Sequence, residues 1–300
     1  MVRLLKRIFI LILILISISC IIFYNFINKD NEKMNEAVTY SLSISKNGEV
    51  INDNIIELNN NNNNIEFDIK FSADKDKYIE DFDLYNLYVM VNFKEIDFFV
   101  DNNYCNNIYS FQLNEFERSK EMKIKASLDG IENPNNIIVS ILPKECNENN
   151  FDHGMLILYD IKNDNQVIKR DYKYTDYKTI KNTYKGMILN QDFDESKDSG
   201  FDLIKSLDIT ENESVKLAFR ASNITNDTIE NKDYLLLISL NGKVDETYIF
   251  KEPSLSEIIY KELILDLNEN DNDIIVYLIP IDIVGQKFNQ YYIIQRINIK

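Results

Sequence analysis

Three hundred residues with 45% hydrophobic, 12% aromatic and 27% charged side chains are too apolar for a wholly disordered chain. They leave room for two domains at about 100 to 200 residues each. The net charge is −16, and since Arg3, Lys6 and Arg7 place +3 on residues 1–27, removing that contribution leaves −19 on the remainder, which argues against nucleic acid, whose phosphates need a basic surface.

The N-terminus opens with the basic MVRLLKR and continues as the 20 residues Ile8 to Ile27, which carry no charge. At about 1.5 Å per residue such a stretch spans the roughly 30 Å hydrocarbon core of a bilayer. The basic residues precede it, whereas Asp30, Glu32 and Glu36 follow. The positive-inside rule therefore predicts a cytoplasmic tail (1–7), a transmembrane anchor (8–27), a polar stalk (28–37) and an extracytoplasmic body. A cleaved signal peptide, or a lipoprotein in which Cys20 of SISC carries the lipid, would place the body on the same side.

Further along, Asn59 to Asn64 form a run in a chain with 40 Asn and 46 Ile but only 7 Gly and 4 Pro. That skew is expected of an AT-rich genome, such as that of a low-GC Gram-positive bacterium, and the run reads as a loop swollen by drift.

An internal repeat organises the rest. NNIIVSILP (Asn135 to Pro143) matches NDIIVYLIP (Asn272 to Pro280). In the same order IEFDIKFSA (Ile65 to Ala73) pairs with VKLAFRASN (Val215 to Asn223), and LYVMVNFK (Leu87 to Lys94) with LLISLNGK (Leu236 to Lys243). MKIKASL (Met122 to Leu128) pairs with LILDL (Leu263 to Leu267), and MLILYDIK (Met155 to Lys162) with the C-terminal YIIQRINIK. Ile65, Phe67, Ile69 and Phe71 alternate with Glu66, Asp68 and Lys70, a period of two that predicts strands with one buried face. The continuously apolar Ile137 to Leu142 and Ile274 to Ile279 predict strands covered on both sides.

The fold class predicted is all-β: two tandem antiparallel sandwiches, immunoglobulin-like in the loose sense, over 38–168 and 186–300. Residues 169–185 join them as a linker or edge strand. That joint, Lys169 to Lys185, runs against the acidic background. Lys169, Arg170, Lys173, Lys178 and Lys181 alternate with Tyr172, Tyr174 and Tyr177. Two readings are open: tyrosines packed across the junction with lysines offsetting neighbouring acid, or a binding strip for an anionic wall polymer or partner peptide.

Most familiar chemistry is excluded. The closest two glycines, Gly186 and Gly200, are fourteen apart, so no phosphate-cradling loop, dinucleotide fingerprint or nucleophile elbow can be written. The one histidine, His153, forbids a His-paired metal site. In DFDESKDSG (Asp192 to Gly200) Asp192, Asp194, Ser196 and Asp198 stand at alternate positions, but Lys197 and Leu203 occupy the places where a calcium loop requires Gly and Glu. Glu80, Asp81 and Asp83 read as a polar loop before a strand. Cys105 and Cys146 are a possible disulfide in an oxidising compartment. No cofactor or metal is expected.

The function expected is a non-catalytic, membrane-anchored interaction or scaffold protein with a protein partner. An envelope hydrolase using acidic residues is one alternative. A glycan- or peptide-binding module, with Tyr104 or Tyr109 on an aromatic platform, is another.

Overall fold

A computed structural model describes residues 39–51, 55–58, 63–74, 82–144, 154–163, 166–167, 173–181, 186–196, 203–204, 206–209, 211–222, 233–251, 253–254, 256–268, 273–281 and 293–299. The apolar stretch 8–27, Cys20 and the stalk 28–37 lie outside them. No helix of the described residues is long and apolar enough to cross a membrane.

The described chain is all-β. Its first half contributes β1 (Thr39–Lys46), β2 (Glu49–Val50), β3 (Ile55–Glu57), β4 (Asn64–Asp74), β5 (Phe82–Val91), β6 (Lys94–Glu95), β7 (Phe98–Val100), β8 (Asn103–Cys105), β9 (Ile108–Asn114), β10 (Ser119–Ser127), β11 (Asn136–Pro143), β12 (Met155–Asn163) and β13 (Gln166–Val167). The second half contributes β14 (Lys178–Lys181), β15 (Met187–Asn190), β16 (Ser206–Leu207), β17 (Glu213–Ala221), β18 (Asp233–Leu240), β19 (Lys243–Lys251), β20 (Glu257–Leu267), β21 (Asp273–Pro280) and β22 (Ile293–Ile299).

Sheet 1 runs β2-β1-β4-β10-β7-β8, and sheet 2 runs β13-β12-β11-β5-β6 with β3 added to β12 and β9 to β5. Ile69 lies opposite Met122 and Phe67 opposite Ile124, so the period-two alternation of both strands puts their apolar sides on one face. That face packs on Tyr85, Leu87, Val89, Ile137, Val139 and Ile141 of sheet 2 to form the first core. Sheet 3 (β14-β20-β17-β15) and sheet 4 (β16-β22-β21-β18-β19) enclose a second core in the same sandwich-like manner.

Every residue of β11 and β21 is buried. Ile137, Val139 and Ile141 face their own core, whereas Ile138 and Leu142 turn the other way and join Ile275, Tyr277 and Ile279 of β21 in a third cluster. Sheets 2 and 4 therefore lie back to back, giving four layers. Across sheet 4, Arg296, Ile275, Ser239 and Val244 are successive cross-strand neighbours. Arg296 meets the carbonyls of Pro143 and Lys144 at one end of β11, while the Val244 N–H donates to the Glu95 carboxylate beyond β5. The row across sheet 4 thus reaches from one end of β11 to β6 at the edge of sheet 2, so its contacts pass obliquely over β11, β5 and β6.

The third cluster holds 15 buried residues, each stabilising by about 1.5 to 3 kcal/mol for a large apolar side chain. Its polar rim contributes less, so apolar burial dominates and holds the halves in one arrangement.

Turn chemistry follows from composition. Six of the eight described non-glycine residues with positive φ are asparagines: Asn47, Asn92, Asn102, Asn107, Asn133 and Asn241. Asparagine enters the left-handed region more easily than other side-chain-bearing residues. In a chain with 7 Gly, it does much of the work glycine does elsewhere.

Candidate functional site

With sheets 2 and 4 covering each other, the outer faces of sheets 1 and 3 are the broad surfaces left for recognition. On sheet 1, Glu66, Asp68 and Lys70 of β4 stand beside Glu121, Lys123 and Lys125 of β10. Lys70 pairs with Glu121 at 2.7 Å and Lys125 with Glu66 at 3.0 Å. Those lysine hydrogen bonds hold the Glu66 and Glu121 carboxyls below the usual range. Both pairs are solvent-exposed, so they shape the face more than they stabilise it.

At one margin of this face, Phe99 and Tyr104 meet edge-on with ring centroids 5.6 Å apart. Tyr104 is 60% exposed and donates to Asp97 at 2.5 Å, a contact that pushes its phenol up. Where these columns meet the β1–β2 turn, Lys46, Asn47, Glu66, Asp68 and Lys123 line a polar groove. The surface can stack a ring or chain of a ligand and offer hydrogen bonds of both kinds. Tyr109, the other aromatic predicted for such a platform, is partly buried against the first core and does not share it.

Of the basic strip, Lys169, Arg170 and Tyr172 lie outside the described residues. Tyr174 donates to the Asp233 carboxylate, and the Lys251 ammonium stands 4.7 Å over its ring. The Thr175 N–H donates to the Ile249 carbonyl at 2.8 Å, and the Ile249 N–H donates to the Thr175 hydroxyl at 3.2 Å. Tyr177 donates to the Lys251 carbonyl at 3.1 Å and meets Phe250 edge-on at 5.5 Å; burial pushes its phenol up. The chain then enters sheet 3 as the edge strand β14, pairing with β20. The segment is a strap running from the margin of sheet 4 to that of sheet 3. Lys173, Lys178 and Lys181 remain exposed, and Lys178 pairs with Glu195 at 3.2 Å.

One residue escaped the sequence reading. Arg220 sits on the outer side of β17, at the place corresponding to the exposed Lys70 of β4, yet it is fully buried. Its guanidinium donates to the carbonyl of Asp192 at 2.6 Å, to that of Asp194 at 3.3 Å and to the Asn190 side chain at 3.1 Å. The Tyr260 ring lies 5.2 Å away. The acidic loop is thereby fastened over sheet 3. Its carboxylates are drawn into local turns: Asp192 accepts from the Asp194 N–H at 3.1 Å, and Asp194 from the Ser196 N–H at 2.9 Å. The only hint in sequence is the small pair Ala218 and Ser222 flanking Arg220, which leaves space for a loop to close down.

Cys105 falls in β8 rather than in the loop expected. Its thiol is buried and donates to the Asn103 carbonyl at 3.4 Å, and burial raises its pKa. Cys146 and His153 lie outside the described residues. Among the described residues no group of His, Cys, Asp and Glu could hold a metal ion. Comparison with protein-family models finds no family that matches this chain, and comparison with curated proteins finds no match either.

Proposed function

We propose that the chain is a membrane-anchored, extracytoplasmic protein of interaction or scaffold type, whose body is a duplicated pair of immunoglobulin-like sandwiches with no catalytic role. The observation that carries this reading is the back-to-back burial of equivalent faces. Each half fills its own core and then spends its second apolar face on the other half. Such a body suits a rigid spacer that presents its outer sheets. A hydrolase would be expected to keep a polar cleft in one half that the other lacks.

Duplication is supported at the level of single residues. Tyr85 lies across from Pro143 as Tyr234 lies across from Pro280, and both tyrosines are buried. Asn92 and Asn241 each take a positive φ and donate their N–H to the first residue of β11 or β21, Asn136 or Asp273. The immunoglobulin-like assignment draws on strand order: β1-β4-β10-β7 against β12-β11-β5, with the short β3 running parallel to β12. In the second half β16 runs parallel to β22 in the same way.

The exposed Phe99–Tyr104 pair favours a second reading, in which sheet 1 binds a peptide or glycan segment. Fractionation with protease shaving of intact cells tests the anchor, since deleting 8–27 should release a body that was membrane-bound and protease-accessible. Cross-linking of the body after Lys29 tests the partner. A cytosolic, protease-protected body would refute the first reading, and a partner captured equally well by Tyr104→Ala would remove the second.

A further inference from the structure

We propose that the turn Asn114–Arg118, with Phe116 at its tip, is where the body rests on the lipid surface to which the N-terminal stretch holds it; this rests on the anchored reading above. Phe116 is 92% exposed, and the turn presenting it is tightly bonded. The Asn114 side-chain oxygen accepts from the N–H groups of Phe116 at 2.9 Å and Glu117 at 2.8 Å. The Asn114 N–H donates to the Glu117 carbonyl at 3.2 Å, and Arg118 Nε donates to the Glu115 carbonyl at 3.2 Å. Four hydrogen bonds fix the turn backbone that carries the exposed ring, so its exposure is not the by-product of a loose loop.

Its position points to the occupant. The Ala73 N–H donates to the Arg118 carbonyl at 3.1 Å, and Arg118 pairs with Asp74. Asp74 is the cross-strand neighbour of Thr39, where the chain arrives from its N-terminal side. Phe116 therefore projects from the end of the first sandwich at which the anchored chain enters. The 11 residues 28–38 reach at most about 40 Å even when fully extended, which keeps this end near the bilayer.

The tip's own charges set the chemistry of the contact. Glu115, Glu117 and the Asp74 that pairs with Arg118 outnumber Arg118 and Lys120, so attraction to anionic headgroups contributes nothing. An aromatic ring alone can enter the headgroup–acyl boundary. One ring suffices because the tether supplies a high effective concentration, and the contact orients the body without having to recruit it.

The chain contains no Trp but 18 Tyr, so Phe116→Trp, excited selectively at wavelengths beyond tyrosine absorption, gives emission from one position only, a residue whose ring is almost wholly in solvent. The full chain carrying it is reconstituted into phosphatidylcholine vesicles made with ordinary or brominated lipid. Ile264→Trp, on the outer face of sheet 3, serves as the control. The expected result is blue-shifted emission that is lost with brominated lipid for Phe116→Trp only, and that salt does not reverse. Unquenched emission from a chain that floats with the vesicles overturns the inference and leaves the anchor standing. A chain that does not float overturns both, and a blue shift indifferent to bromine, as a protein contact would give, overturns the lipid assignment.

Discussion

Gly242, in the turn between β18 and β19, lies against Tyr88 of β5. A β-carbon at position 242 would stand 2.6 Å from Cε1 of Tyr88 and 2.9 Å from Cδ1 of Ile108, and the residue also has φ +76°. The contact joins the two halves, so the lack of a side chain at 242 is part of how they meet. Gly130 makes a clean comparison, because it has φ +81° but a β-carbon there meets nothing within 4 Å among the described residues. Gly130→Ala should cost about 1 to 2 kcal/mol from the left-handed conformation alone. Gly242→Ala should cost about 2 to 4 kcal/mol, since overpacking adds to strain. Equal midpoints in urea for the two variants would mean that the halves do not touch there.

Arg220 is expected to be structural. Arg220→Leu removes the guanidinium that donates to the carbonyls of Asp192 and Asp194 and to the Asn190 side chain, a charge-assisted network whose loss costs about 2 to 4 kcal/mol. Limited proteolysis should then cut within residues 191–196 at a concentration of protease that spares the parent chain. An unchanged unfolding midpoint and cleavage pattern would show that the loop is held by something else.

Alkaline pH should destabilise the body. Burial, with Glu246 and Asp245 adding, pushes the Tyr248 phenol up to about 12 from 10.0. Burial also raises Tyr88 and the fully buried Tyr277. Each holds its proton more tightly when folded than when unfolded. The stabilisation is therefore complete below pH 10.0 and falls as the pH rises towards about 12, because the unfolded chain loses protons first. Phenolate absorbance during a pH titration should lag behind that of free tyrosine and rise together with unfolding. Tyr248→Phe should flatten part of the slope.

The strap separates packing from charge. Tyr177→Ala removes the contact with Phe250 and the hydrogen bond to the Lys251 carbonyl, at a cost of about 1 to 3 kcal/mol. Lys178→Glu with Lys181→Glu should stay within about 0.5 kcal/mol of the parent, because both side chains are exposed. If the charge reversals instead abolish association with the cell envelope while leaving the unfolding midpoint in place, the lysines are a recognition surface and the tyrosines its mount.

Alternation is a local property, which is why so much of the strand pattern could be read in advance. Ile65 to Ala73 and Met122 to Leu128 declare a wet and a dry face within a few residues, and β4 and β10 pair as that pattern requires. The fivefold recurrence of segments is also visible in one dimension. So is the demand of Ile137 to Leu142 and Ile274 to Ile279 for cover on both sides.

What covers them is not local. Ile138 and Ile275 read alike in sequence, and only the folded chain shows that each half supplies the other's cover. Arg220 and Lys70 are likewise interchangeable in a pattern of alternation. Their burial differs because a loop from residue 191 onward, distant in sequence from β17, closes over one and leaves the other in water. Tyr104 and Tyr109 looked equivalent as platform residues, yet one ring packs against the first core.

Composition, periodicity and the uncharged N-terminal stretch thus determined the all-β class, the repeat and the expectation of an anchor. Tertiary structure decided which apolar faces met, which polar groups were buried and which aromatic rings were left outside. Those outcomes depend on the free energy of long-range burial, to which neighbours far apart in sequence contribute.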